Sequence, residues 1–341
     1  MGFVRVADVA AHARVSPGTV SNYFHNPARV APETAERIRL AIDELGYVPN
    51  DAARSLRHRQ GKTIGHIAFE VANPYSAGYV HAVDREARAR GYTVLNVSSD
   101  ADHAWEDELL DTFARQRVDG VLLSPIDELS DAARRLTGHG IHLVLADSLD
   151  PSAPSVSYDD ELGGRLAATH LLELGHRDIA FVGFDPEIGV IERRLTGIRE
   201  EIAAAGGRLS TFDFEVRSIA NGRRVGGELA AMDPAIRPSA VIAVNDLVAV
   251  GVLNGVWGRL AVPEDLAIVG FDDIEFASEA ITPLTSVARP IPAFAAQSVE
   301  VLDAQIRGET IATDPVTLML APNLIAREST IGVGRAHRPA G

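Results

Sequence analysis

Apolar positions recur at helical spacing from the start of the chain. Val6, Val9, Ala10 and Ala13 fall on one stripe, which Arg14 and Val15 interrupt. Ser16 and Pro17 then supply an N-cap and a first-turn proline for a second helix, whose buried face is Val20 and Phe24. A third helix is predicted from Pro32, with Ala35, Ile38, Ile42 and Leu45 on one side and Gly46 as its stop. Ala31, before Pro32, has no hydroxyl to cap with, so that start is weaker by about 1 kcal/mol. Three short helices of this kind can enclose one small core.

From Thr63 the pattern changes. Short apolar runs at 64–69, 93–97, 120–123, 143–146, 179–182, 240–244 and 266–269 alternate with amphipathic helical stretches such as 77–90, 161–174 and 193–205. Several of these helices stop at glycine, as at Gly91 and Gly175. The alternation predicts parallel, doubly wound sheets with helices on both faces, and two sets of strands imply two α/β lobes. Ligands of open α/β sheets sit beyond the carboxyl ends of the strands. Asn73 and Tyr75 after the first strand, Asp147 after the fourth, then Asn245, Asp246 and Asp272, are therefore candidates for a cleft between the lobes.

Composition narrows the chemistry. A chain of 341 residues, 46% hydrophobic and 23% charged, is long enough for two or three compact units. It contains no cysteine, which removes disulfides, thiolate nucleophiles and cysteine-ligated zinc. No apolar segment follows the first basic residues, and the most apolar window, 247–257, is far below the ~20 residues that span a bilayer. A cytoplasmic protein with no membrane partner is expected. No nucleotide-binding or hydrolase motif assembles a nucleophile with its base, so no enzyme, catalytic residue, cofactor or metal site is expected. The histidines of "HGIH", and His170 and His176, lack a carboxylate at ligand spacing and read as caps or surface residues.

The net charge of −15 argues at first against a polyanionic partner, but its distribution does not. Residues 1–62 carry nine Lys/Arg against six Asp/Glu, and the remainder 23 against 41. A basic module on an acidic body fits nucleic-acid binding. The second helix of a helix-turn-helix enters the major groove with its N-terminal residues against base edges, and the small or polar Pro17, Gly18, Thr19, Ser21 and Asn22 suit that approach. A three-helix unit that binds a protein is the competing reading.

After Gly46 runs "YVPNDAARSLRHRQGKTIG". Asn50 can cap a helix of about seven residues, too short to be stable alone in water. It reads either as a frayed linker or as a hinge helix whose Leu56 wedges into the minor groove while Arg54 and Arg57 meet phosphates.

The chain resembles the lactose-repressor, or LacI/GalR, family of bacterial transcription regulators. The resemblance rests on "VADVAAHARVSPGTVS", "RIRLAIDELGYVPNDAARSLR", "NPYSAGYVHAVDREARARGYTVLNVSSD", "VDGVLLSP", "AATHLLELGHRDIAFVG", "VIAVNDLVAVGVL" and "VPEDLAIVGFDDIEFASEAITPLTSV", in order over residues 4 to 330. It implies an N-terminal all-α helix-turn-helix domain at 1–49 and a hinge helix and linker at 50–62. A periplasmic-binding-protein-like α/β body of two doubly wound lobes follows: 63–160 plus 291–320, and 161–290 plus 321–332, with a tail at 333–341. It also implies a homodimer on a near-palindromic DNA operator, acting as a repressor under a small-molecule effector. A sugar is the expected effector, and a purine or nucleoside is the alternative. A solute-binding protein without DNA function fits the body but not the N-terminal unit.

The candidate DNA contacts are Val6, Ser16, Pro17, Gly18, Thr19, Ser21, Asn22, Arg29, Asn50, Arg54, Leu56 and Arg57. The candidate effector contacts are Asn73, Tyr75, Asp147, Arg194, Asn245 and Asp272. Arg194 matches the family's effector-binding arginine because it stands three residues before Gly197; Arg193 is its competitor. Asp246 is read as a helix cap or a ligand contact, Tyr75 as a stacking platform or lobe packing, and Trp257 as core or subunit interface. Many family members carry arginine where this chain has Asn22, and asparagine favours adenine over guanine. The tail "GVGRAHRPAG" has no leucine heptad, so a dimer is expected rather than a tetramer.

Overall fold

The computed structural model describes residues 4–47, 62–127, 129–185, 188–214, 216–309 and 317–332. Hinge residues Asn50, Arg54, Leu56 and Arg57, and the tail 333–341, lie outside these. Contacts divide the chain into two compact units, residues 1–61 and 62–341.

The first unit has three helices, α1 Val6–His12, α2 Pro17–His25 and α3 Pro32–Leu45, with a 3-10 turn at Pro27–Arg29. Arg14 turns the chain between α1 and α2 with φ 55°. Ser16 caps α2 by accepting from the Thr19 amide at 3.1 Å. No side chain caps α3 at Ala31, and Gly46 closes it in the left-handed region, φ 62°. Val9, Ala10, Ala13, Val20, Val30, Ile38, Ala41 and Tyr47 form the buried core, with Phe24, Ala35, Ile42 and Leu45 packed against it. A pair of His12 Nε2 and Glu44 Oε2 at 2.7 Å links α1 to α3.

The second unit contains two six-stranded sheets. One has the order β11-β5-β4-β3-β1-β2 and is wholly parallel, built from β1 Thr63–Ala68, β2 Thr93–Ser98, β3 Gly120–Leu123, β4 His142–Ala146, β5 Ser155–Tyr158 and β11 Thr317–Leu320. The other has the order β12-β10-β9-β8-β6-β7, built from β6 Asp178–Phe184, β7 Arg208–Asp213, β8 Ala240–Ala243, β9 Ala267–Asp272, β10 Thr285–Ala288 and β12 Asn323–Ile325. Only β12 runs antiparallel. Helices α4 Pro74–Ala89, α5 His103–Gln116, α6 Asp131–Gly138 and α12 Ile291–Ile306 accompany the first sheet. Helices α7 Asp160–Glu173, α8 Gly189–Ala204, α9 Ile219–Ala231, α10 Asp246–Val256, α11 Glu275–Glu279 and α13 Glu328–Ile331 accompany the second. The chain passes between sheets at 159, 289–290 and 321–322.

The apolar runs fall on central strands, where both faces are covered and every residue is buried, as in β3, β8 and β9. The run at 93–97 is β2, but the pattern passed over β7 and β11, whose residues are half-buried or exposed, and the four-residue β5 and β10, which carry Ser and Thr in buried positions. Of the two readings of Trp257, core is excluded: it follows the end of α10, just before Gly258 in the left-handed region, and is 60% exposed.

Candidate functional site

In the N-terminal unit, α2 presents an exposed Ser16-Pro17-Gly18 corner, followed by half-buried Thr19, Ser21 and Asn22. A Cβ at Gly18 would touch only Ser16 Oγ, at 3.6 Å, so internal packing does not require glycine there. A close backbone approach by a partner would. Thr19 Oγ1 and Ser16 Oγ share a hydrogen bond at 2.9 Å, which holds both hydroxyls at the helix start. Arg29 is exposed at the end of the 3-10 turn. Val6 is half-buried and packs against the three-helix core, so most of its surface is spent on the fold.

The body holds a cavity of about 750 Å³ between the two sheets. Its lining includes all six predicted effector residues, Asn73, Tyr75, Asp147, Arg194, Asn245 and Asp272, together with Arg193 and Arg289. Two of the six serve the fold as well. Asn73 caps α4 by accepting from the Tyr75 amide at 3.0 Å, and Asn245 caps α10 by accepting from the Val248 amide at 3.0 Å. In each, the carbonyl oxygen is engaged and the side-chain NH2 is the group left to face a ligand.

Asp246 therefore does not cap its helix. Its Oδ2 accepts from the Ile274 amide at 2.9 Å, and its Oδ1 accepts from Ser286 Oγ at 2.7 Å. Ser286 Oγ in turn accepts from the Asp273 amide at 3.1 Å. This clamp fixes the turn in which Asp272 and Asp273 adopt φ 95° and 52°, conformations that non-glycine residues hold only when the surroundings impose them. Burial, then the neighbouring Asp272, pushes the Asp246 carboxyl well above its ordinary range. Asp147, after β4, is also left-handed, φ 62°.

Arg194 reaches the cleft because α7 and α8 touch backbone to backbone. A Cβ on Gly164 would overlap the carbonyl of Arg194, and one on Gly197 would overlap the carbonyl of Glu161. Residues three apart share a helix face, so the arginine faces α7 for the same reason the glycine must. Its Nε donates to Asp160 Oδ1 at 3.0 Å and its Nη1 to the Val244 carbonyl at 2.7 Å, while Nη2 lies 3.9 Å from Asp272 Oδ1. The guanidinium stands 4.7 Å over the Phe271 ring. Arg193 also lines the cleft and shares Asp160, at 3.4 Å.

Tyr75 combines both of its readings. It is buried against the lobe beside Tyr158, and its ring lies 4.5 Å from the Arg289 guanidinium. Burial raises its phenol well above the usual range. Burial also raises Asp147, although Arg289 beside it works in the opposite sense.

The pattern along the chain did not reveal Arg289 or Asp160. Arg289 follows β10 directly, the same strand-end position that identified the others, but β10 itself is short and carries Thr and Ser. Asp160 starts α7, where an acid in the first turn is common for helix-dipole reasons and carries no signal of a site. His170 and His176 bond Thr330 Oγ1 at 2.8 Å and Ser239 Oγ at 2.9 Å, within the fold. Among the described residues there is no cluster suited to a metal ion and no helix long and apolar enough to cross a membrane.

Known proteins share both units. Residues 5–50 match the model for bacterial regulatory proteins of the lacI family, and residues 168–330 that for a periplasmic binding protein-like domain. The transcriptional regulator CelR of Thermobifida fusca is 35% identical over 334 residues, 94% of this chain and 96% of CelR. The ribose operon repressor of Escherichia coli (strain K12) is 31% identical over 332 residues, 94% and 98% of the two chains. A CelR–cellobiose complex superimposes with TM-score 0.69 at 33% identity, over 96% of this chain and 99% of that one. A lac repressor dimer bound to operator and anti-inducer gives 0.79 at 25% identity, over 96% and 99%.

Proposed function

The chain belongs to the LacI family of bacterial regulatory proteins, DNA-binding transcriptional regulators rather than enzymes, and from that premise we propose that it is a repressor released or retained by a sugar. One observation carries the effector reading. Carboxylates, guanidiniums and an aromatic ring from both lobes, Asp147, Asp272, Arg194, Arg289 and Tyr75, converge on a single cavity. Carboxylates accept from sugar hydroxyls, guanidiniums donate to them, and an aromatic face covers the apolar side of a pyranose ring. That CelR was solved with cellobiose, and that a relative governs a ribose operon, supports the same ligand class here.

In the proposed mechanism a two-fold dimer presents two N-terminal units to half-sites of a near-palindromic operator. Ser16, Pro17, Gly18, Thr19, Ser21 and Asn22 face the major groove, and Arg29 meets phosphate. Effector binding changes the relation of the two lobes, and the differential affinity of the effector for the two arrangements sets the change in operator affinity. The proposed lobe contacts are Asn73, Tyr75 and Asp147 on one side and Arg194, Asn245 and Asp272 on the other.

The test is a thermal-shift screen of the purified protein against cellobiose, D-ribose, D-glucose, hypoxanthine and guanine. A ligand of the folded cleft raises the melting temperature by mass action. A sugar that shifts wild type, and fails to shift Asp272→Ala and Arg194→Ala, supports the proposal. A purine hit moves the protein to purine sensing, and a sugar shift that survives both substitutions removes the ligand from this cleft.

A further inference from the structure

Arg289 lies in the second passage between the sheets, directly after β10, and is 6% exposed. A buried guanidinium needs partners, and here they come from both lobes. Its Nη2 is 2.6 Å from Asp147 Oδ1, beyond β4, and its Nη1 donates to Asp272 Oδ1 at 3.3 Å, at the end of β9. Its planar group also stacks near two rings, 4.5 Å from Tyr75 and 4.4 Å from Tyr158. Its Nε, although buried, has no hydrogen-bond partner among the described residues. A donor so placed beside the cavity is satisfied when a ligand oxygen arrives.

The charges on the floor of the cleft balance. Asp147 and Asp272 of the lining, and the buried Asp160 beyond it, face Arg193, Arg194 and Arg289, and each guanidinium lies within 4 Å of one of these carboxylates. Nothing on the floor is left to neutralise an incoming phosphate or carboxylate. Glu70, Asp127, Asp150 and Glu192 also line the cavity, and the one further guanidinium there, Arg217, is paired with Asp185 at 3.1 Å, so the balance outside the floor is acidic and an anion is disfavoured on entry as well. A cation would pass that mouth but find no uncompensated carboxylate while Arg289 stays in place.

Resting on the effector reading above, we propose that Arg289 is the specificity-determining residue of the cleft. It neutralises Asp147 of one lobe and Asp272 of the other, offers its Nε to a ligand hydroxyl, and so fits the site to an uncharged polyol. Without it the floor carries one surplus negative charge, and the site favours a protonated amino sugar.

Isothermal titration of the full-length protein with cellobiose, D-glucose, D-glucose 6-phosphate and D-glucosamine, at a mildly acidic pH where the amine is protonated, tests this. Wild type is expected to bind one of the two uncharged sugars at least tenfold more tightly than the phosphate and the amine. Arg289→Met should weaken the uncharged sugar at least tenfold and reverse its preference over glucosamine. Asp147→Asn combined with Arg289→Met restores the balance of charge and, with it, the rejection of the amine; this pair also guards against misfolding of the single variant. Arg289→Lys keeps the charge and the exclusion of glucosamine, but loses the fork that reaches both carboxylates. An unchanged selectivity in Arg289→Met, or tight binding of the phosphate by wild type, overturns the proposal alone. A wild-type protein that binds neither uncharged sugar, nor any other in the screen above, overturns the effector reading and this one together.

Discussion

His66 and Glu106 are both buried in the same lobe and respond to acid in opposite senses. His66, on β1, is held neutral because burial lowers it to about 4, although Nδ1 shares a 2.9 Å hydrogen bond with Asn96. The unfolded chain takes up the proton near 6.5 and the folded one does not. His66 therefore costs nothing above pH 6.5, and stability falls as pH drops from there towards 4, by about 3 kcal/mol at the end. Glu106, on α5, is raised to about 7 by burial, against a backbone hydrogen bond from Ile126 and with Asp107 and Asp127 adding to the rise. Its penalty is absent below pH 4.5 and grows as pH rises through 7, since only the unfolded chain ionises freely. Chemical denaturation across pH should show His66→Gln flattening the acid limb and Glu106→Gln stabilising the neutral limb. The reverse pattern would mean that neither group is as dry as its surroundings imply. Asn22 belongs to the same scale. If it reads a base edge, Asn22→Arg should shift the selected half-site from adenine towards guanine at one position, worth about 1–3 kcal/mol of discrimination in a binding-site selection experiment.

Among the helices, the α7–α8 pair does more than fill space. Gly197→Ala must push α8 away from the Glu161 carbonyl, and the expected cost is about 1–3 kcal/mol of stability. Because Arg194 stands one turn away, the same change should weaken sugar binding, read as a smaller ligand-induced rise in melting temperature. Gly227 in α9 supplies the contrast. A Cβ there meets nothing within 4 Å, so Gly227→Ala should raise stability by about 0.5–1 kcal/mol through helix propensity, without touching the ligand shift. Equal effects from the two glycines would separate Arg194 from helix packing. At this scale much was legible in the chain. The stripe of Ala35, Ile38, Ile42 and Leu45 and the Ser16-Pro17 start appear as read, because each depends on local periodicity and capping. Strands β5 and β10 were not legible, since four residues with buried Ser and Thr carry too little apolar signal, and their place in a sheet comes from neighbours far along the chain.

For the whole molecule, the similarity to a lac repressor dimer sets the expected assembly. Sedimentation velocity at micromolar concentration should give a dimer, and a tetramer would contradict that reading. Ile281, 77% exposed on the C-terminal lobe, is the most exposed of the large apolar side chains among the described residues, and a dimer interface would cover it. Charge substitution at Ile281 should then shift the sedimentation profile towards monomer. By itself the sequence determined the three-helix unit, the alternation of strands and helices, the parallel sheets and the strand-end positions Asp147, Asn245 and Asp272, because these follow from spacing within ten or twenty residues. Only the tertiary structure decided which of those side chains are tied up as caps, that Asp246 clamps a strained turn, and that Arg289 joins carboxylates separated from it by 142 and 17 positions. Such pairings depend on which strands lie side by side, and no local pattern of hydrophobic and polar residues records that.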